Sequence, residues 1–196
     1  MLRSASSVLL ALLGLLTLSG CGINNIPTYD EAAKAAWSQV ENQYQRRADL
    51  IPNLVETVKG YAKQEKDVLV QVVEARAKAT QMTVPKDIIN NPAAFKQFQQ
   101  NQDALSSALA RLMVVVEKYP DLKSNQNFLA LQSQLEGTEN RISVARRDYI
   151  EAVKNYNTEL RTIPGRWWAA LLYSDAKVKE TFSAPPEAQK APQVKF

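Results

Sequence analysis

The chain has 196 residues and a formal net charge of +4, and 45% of its residues are hydrophobic and 22% charged. It contains no histidine and a single cysteine, Cys21. This rules out histidine acid–base catalysis, ordinary zinc or haem ligation and an intramolecular disulfide. The length suits one domain with a sizeable core, and in an exported chain a pI of 9.1 fits mild attraction to anionic lipid or envelope polymer better than nucleic acid.

Arg3 is the only charge before a leucine-rich run at residues 8–18, which stops at Ser19 and Gly20. A spanning helix needs about 20 apolar residues and this run is about half that, so it reads as a signal peptide rather than an anchor helix. The tetrad Leu18, Ser19, Gly20, Cys21 resembles the lipobox of bacterial lipoproteins. There the thiol is diacylated, the chain is cut before the cysteine and the new amine is acylated. A lone thiol is then an attachment point, and more than one acyl chain makes the anchor stable. The expected domain plan is a signal peptide at 1–20, a lipidated terminus and linker at 21–28, a helical bundle at 29–184 and a tail at 185–196. The expected location is the cell envelope. Gly22 follows the cysteine where an aspartate would favour inner-membrane retention, which is compatible with the periplasmic face of an outer membrane.

Thr28 and Glu31 have the spacing of a capping box and predict a helix start. Apolar positions then recur at steps of three and four through Trp37, Val40, Tyr44, Ile51, Leu54, Val58, Tyr61, Val68, Val72 and Ala75, predicting one long amphipathic helix. Pro52 in its middle clashes with the Ala48 carbonyl and removes a hydrogen bond. The phase is the same on both sides, which favours a kinked continuous helix over two helices joined by a loop. The stretch at 80–92 interrupts the pattern. Asn91 and Pro92 supply an N-cap and a first-turn proline for a second helix with its seam at Phe95, Phe98, Gln102, Leu105, Leu109, Leu112 and Val116. Pro120 ends it. Ser124 or Asn125 caps a third helix with its seam at Phe128, Leu131, Leu135, Ile142, Ala145, Tyr149, Ala152, Tyr156 and Ile163, and Pro164 with Gly165 stops that one.

No period-two run or hairpin turn occurs, so the fold class is all-α, an elongated antiparallel helical bundle. At about 1.5 Å per residue the three helices would measure about 70, 40 and 60 Å and cannot overlap end to end. Either overhangs exist or Pro52 folds the first helix back as a fourth member.

The stretches at 46–65 and 119–164 and the closing residues 191–196 resemble the LemA family of bacterial envelope proteins over nearly all of the mature chain. The resemblance implies an elongated, membrane-held helical bundle with no established catalytic activity. This chain departs in having a lipobox where many members have a transmembrane helix, and Gln64 where many have histidine.

Arg47, Glu65, Gln102 and Thr138 fall on seam positions. An unpaired buried ion costs several kcal/mol, so partners are required, with Glu139, Arg146 and Asp148 as candidates. Such a layer either fixes register, as in coiled coils, or serves recognition. Arg46 with Arg47 and Arg146 with Arg147 are a candidate partner surface for an acidic protein, phospholipid or wall polymer, or else a solvated face. Trp167 and Trp168 are suited either to a bilayer surface or to closing the end of the core. No catalytic residue, cofactor site or metal site is marked by motif. The expected function is a non-catalytic docking or scaffold element for an envelope protein. The alternatives are a binder of anionic envelope polymer or phospholipid through basic helix faces and, more remotely, an enzyme using carboxylates alone.

Overall fold

A computed structural model describes residues 22–81 and 87–183. Cys21, the lipobox and the 185–196 tail lie outside the described residues. Among the described residues the elements are α1 (Asn25–Tyr61), α2 (Lys66–Gln81), a 3-10 turn (Ile88–Asn90), α3 (Pro92–Val116), α4 (Pro120–Lys123), α5 (Gln126–Arg161) and α6 (Gly165–Leu172). The protein is an all-α bundle.

Its spine is the antiparallel pair α1 and α5, of 37 and 36 residues, each about 55 Å long. Three cross-links spaced along it fix their direction. Asn25 Nδ2 donates to Glu159 Oε1 at 3.2 Å, Arg47 Nη1 to Glu139 Oε1 at 2.9 Å, and Asn125 Nδ2 to the Tyr61 hydroxyl at 2.8 Å. The end bearing Asn25 and Glu159 is the proximal end, and that bearing Tyr61 and Asn125 the distal end.

The apolar stripes bury as their spacing predicts. Trp37, Val40, Tyr44, Ile51, Leu54 and Val58 of α1 face inward, as does the whole α3 seam from Phe95 to Val116. Asn91 caps α3, its Oδ1 accepting from the Ala94 amide at 3.1 Å, and Asn125 caps α5 through the Phe128 amide at 3.0 Å.

The first helix differs from expectation at both ends. It starts at Asn25, not near Thr28, and the Thr28 hydroxyl donates to the Asn24 carbonyl at 2.7 Å, so the capping box does not form. Pro52 sits inside an unbroken α1, and the chain instead turns back at residues 62–65, where the Glu65 amide bonds the Ala62 carbonyl at 3.1 Å. The fourth helix is therefore α2, produced by this turn rather than by the proline. Two expected seam residues stay in solvent. Tyr61 is 45% exposed and Ile163 is 63% exposed, because α1 and α5 end beside them.

The length mismatch is resolved by sharing one position in the bundle. In the distal half α2 fills the fourth place. The last α2 carbonyls, which lack helical donors, are met by α3 amides: Asn101 Nδ2 donates to Lys78 at 3.2 Å. Proximally, an extended strap after α6 takes that place. The Glu180 amide bonds the Ile89 carbonyl at 2.8 Å, Tyr149 donates its hydroxyl to the Glu180 carbonyl at 2.7 Å, and Gln99 Nε2 reaches the Ser183 carbonyl at 2.7 Å. Two apolar clusters result, one distal around Ile51, Leu112 and Phe128, the other proximal and aromatic around Trp37, Phe95, Tyr149 and Phe182.

Candidate functional site

Between the two clusters lies a polar layer drawn from α1, α3 and α5. Arg47 is 1% exposed. Its Nη1 donates to Ser106 Oγ at 2.7 Å and to Glu139 Oε1 at 2.9 Å, and its Nη2 donates to Gln102 Oε1 at 2.6 Å and the Gln102 carbonyl at 3.2 Å. A planar guanidinium suits this forked geometry better than an ammonium. Thr138, fully buried, returns its hydroxyl to the Gln134 carbonyl at 2.8 Å. The residues that break the seam in the sequence thus form one level of the bundle, except Glu65, which sits at the distal turn and accepts from the Tyr119 hydroxyl at 3.0 Å. Arg47, Gln102, Ser106 and Glu139 are directed at one another, the arrangement that fixes helix register, while Arg47 Nε is buried without a partner among the described residues.

Of the three partners expected on the third long helix, only Glu139 joins Arg47. Arg146 lies with its guanidinium 4.2 Å from the Phe182 ring centroid, a cation–π contact on the strap. Asp148 pairs at the surface with Arg147 at 3.3 Å. The two arginine pairs therefore do not make one basic surface. Arg47 is interior and Arg146 half-buried on Phe182, leaving Arg46 and Arg147 exposed.

A second buried ion pair has no periodic signal in the sequence. Lys179, 3% exposed, meets Asp30 Oδ1 at 2.6 Å, lies 4.6 Å from the Tyr156 ring centroid and donates to Asn90 Oδ1 at 3.3 Å. Asn157 clamps its backbone, accepting from the Lys179 amide at 2.9 Å and donating to its carbonyl at 3.0 Å. Burial pushes the Asp30 carboxyl up, but hydrogen bonds from Lys179 and Lys34 outweigh it and hold the group below its ordinary value. Burial also raises the Tyr149 and Tyr44 hydroxyls and the Glu41 carboxyl.

Two exposed apolar surfaces lie at opposite ends of the described residues. At the distal end, Val55, Leu69, Val70 and Val73 floor a groove between α1 and α2 edged by Lys59, Lys63 and Lys66, with Glu56 and Glu74 beside them. Val70 is 43% and Val73 49% exposed. The amphipathic pattern assigns these valines to the polar side of α2, which is why the sequence did not single them out. At the proximal end, α6 exposes Trp167 at 58%, Leu171 at 73% and Leu172 at 56%, with Trp168 half-buried beneath.

The start of the described chain lies at this same end. Ile23 accepts at its carbonyl from the Tyr173 hydroxyl at 3.1 Å, and a Cβ built on Gly22 would stand 3.5 Å from the Pro164 ring. Gly22 has φ +91°, a conformation that favours glycine. Among the described residues no helix is long and apolar enough to cross a membrane.

Two magnetosome proteins of Paramagnetospirillum magneticum, MamQ 2 and MamQ 1, are each 26% identical to this chain over 162 residues, covering 74% of it and 60% of each relative. The magnetosome protein MamQ of Magnetospirillum gryphiswaldense is 24% identical over 193 residues, 90% of this chain and 70% of that one. The chain thus spans 60% of the length of the first two. The LemA family model matches residues 36–196, covering the buried layer, the distal cluster, the proximal cluster except Ala33 and the strap, and the chain belongs to the LemA family.

Proposed function

We propose that this protein is a lipid-anchored, non-catalytic docking element of the bacterial envelope. Acyl chains on Cys21 hold its proximal end at a membrane, and the distal groove receives an amphipathic helix of an envelope protein. The observation that carries this reading is the groove itself, an apolar floor with a lysine edge, on the opposite end of a spine about 55 Å long from the residue that follows Cys21. Such a groove suits a helix presenting apolar side chains at steps of three and four with an acidic flank. Lys63 and Lys66 have no ion-pair partner among the described residues, so the charge is open to a ligand.

The alternative, binding of an anionic polymer or phospholipid through basic faces, rested on the paired arginines. With Arg47 interior and Arg146 on Phe182, that surface is reduced to two residues.

A photoreactive residue at Val73, placed in the full chain in its native cells, tests the proposal. A discrete protein adduct is expected. It should survive high salt, as an apolar contact does, and disappear in a Val70→Glu background. Absence of a protein adduct, or a polymer adduct that salt prevents, would overturn it.

A further inference from the structure

The outward face of α6 has no partner among the described residues, and its composition says what kind of environment it fits. The helix is GRWWAALL, with Arg166 as its only charge. Gly165 is buried at its start, and a Cβ there would fall 2.2 Å from the Glu159 carbonyl, so the absence of a side chain lets the helix lie tightly against the end of α5. Trp168 and Ala169 turn partly inward while Trp167, Ala170 and Leu171 face out. A surface helix ordinarily keeps its outward face polar, and one that is apolar all round is covered by something.

Eight residues make about 12 Å of helix, too short to cross a bilayer, but tryptophan and leucine beside arginine are the composition of a segment lying in the head-group region. The cover is indicated by where the described chain begins. Gly22 and Ile23 pack against Pro164 and Tyr173, at the two ends of α6, and Cys21 is one residue further, at most about 3.6 Å of chain. Lipid on that residue would enter the bilayer beside this helix.

We infer that α6 beds its Trp167–Leu171 face in the bilayer surface, forming with the lipidated terminus a two-part membrane contact that holds the proximal end down and turns the distal groove away from the membrane. The inference rests on the tether proposed above. The two parts are mutually reinforcing, because a tethered α6 meets the bilayer at high effective concentration and a bedded α6 limits tilting of the rod about its anchor.

The test uses the mature protein taken from membranes, its intact mass read, then reconstituted into phosphatidylethanolamine–phosphatidylglycerol vesicles with plain or brominated acyl chains. Trp37 is inside the proximal cluster, stacked with Phe182 at 6.0 Å, and is out of a bromine's reach. The expected result is loss of tryptophan emission in brominated vesicles, largely abolished by Trp167→Ser with Leu171→Ser, two exposed positions whose change leaves far-ultraviolet circular dichroism unaltered. Equal emission in both vesicles from a chain whose mass includes the acyl groups would overturn the inference and leave the tether standing. Quenching of a chain without acyl groups would support α6 and remove the tether. A photoreactive residue at Leu171 in cells should mark lipid, and a discrete protein band there, from a partner or a second copy, would overturn the inference.

Discussion

Arg76 Nε donates to the Ala48 carbonyl at 2.9 Å, and Ala48 is the residue whose carbonyl Pro52 leaves without its helical donor. The proline removes one hydrogen bond from α1, and an arginine on the neighbouring α2 replaces it. This is how α1 continues through Pro52, and it ties the returning helix to the point where α1 is weakest. Arg76→Ala should lower stability by about 1–2 kcal/mol in urea unfolding. The same change in a Pro52→Ala background, where an amide again faces Ala48, should cost clearly less. Equal costs in the two backgrounds would mean that the arginine does not act through that carbonyl.

The Arg47 layer predicts an asymmetry between its two charges. Arg47 is interior while Glu139 is 41% exposed. Arg47→Ala removes packing and leaves Gln102 Oε1 without its donor, a loss of about 3 kcal/mol. Glu139→Gln should cost less, about 1–2 kcal/mol, because its amide oxygen can still accept from Arg47 Nη1 and water reaches its side of the pair, although the interior guanidinium loses its anion. Denaturant midpoints of the two variants decide this, and comparable losses would show that the ion pair, rather than the arginine's burial, holds the layer.

Acid should release the strap. The folded Asp30 carboxyl lies below its ordinary value of 3.8, so the stability it contributes is present above that value and lost as pH falls through the lower, folded one. Thermal melts of the wild type should show a drop in midpoint beginning near pH 4, a drop that Asp30→Asn, already less stable at neutral pH, should show in smaller measure. An unchanged acid limb in the variant would remove Asp30 from the account.

Phe182 closes the proximal cluster, with its ring centroid 5.0 Å from Phe95 and 6.0 Å from Trp37. Phe182→Ala should cost about 3 kcal/mol and shift Trp37 emission to the red as water reaches it, with the distal half unaffected in hydrogen exchange. Loss of protection in α2 as well would show that the strap and the distal bundle are one cooperative unit.

The parts of this fold that repeat were legible from the sequence, and the parts that do not repeat were not. Spacing of three and four names the α3 seam from Phe95 to Val116 because every such residue faces one stripe, and Asn91 and Asn125 announce helix starts through a short side chain that accepts from the backbone. Arg47, Gln102 and Thr138 stood out because a polar residue on an apolar stripe needs a partner. The turn at 62–65 was hidden, since Val68 and Val72 continue the same phase after it while Pro52, the visible breaker, is rescued from outside by Arg76. The strap was hidden for a different reason. An extended segment carries no helical period, and burial of Lys179 depends on Asp30, Tyr156 and Asn90, which are brought to it from three other elements. Neither open surface can be read whole from the sequence, on the same ground. Val70 and Val73 sit off the α2 stripe and carry no sign of what covers them, and the exposure of Trp167 follows from how tightly Gly165 seats α6.

Lipid on Cys21 is proposed to hold this chain at a membrane, and the intact mass of the mature protein recovered from its native membranes tests that tether. The expected species begins at Cys21 and carries a diacylglyceryl thioether and an acylated amine. A mature chain in the soluble fraction with a free Cys21 thiol would contradict it.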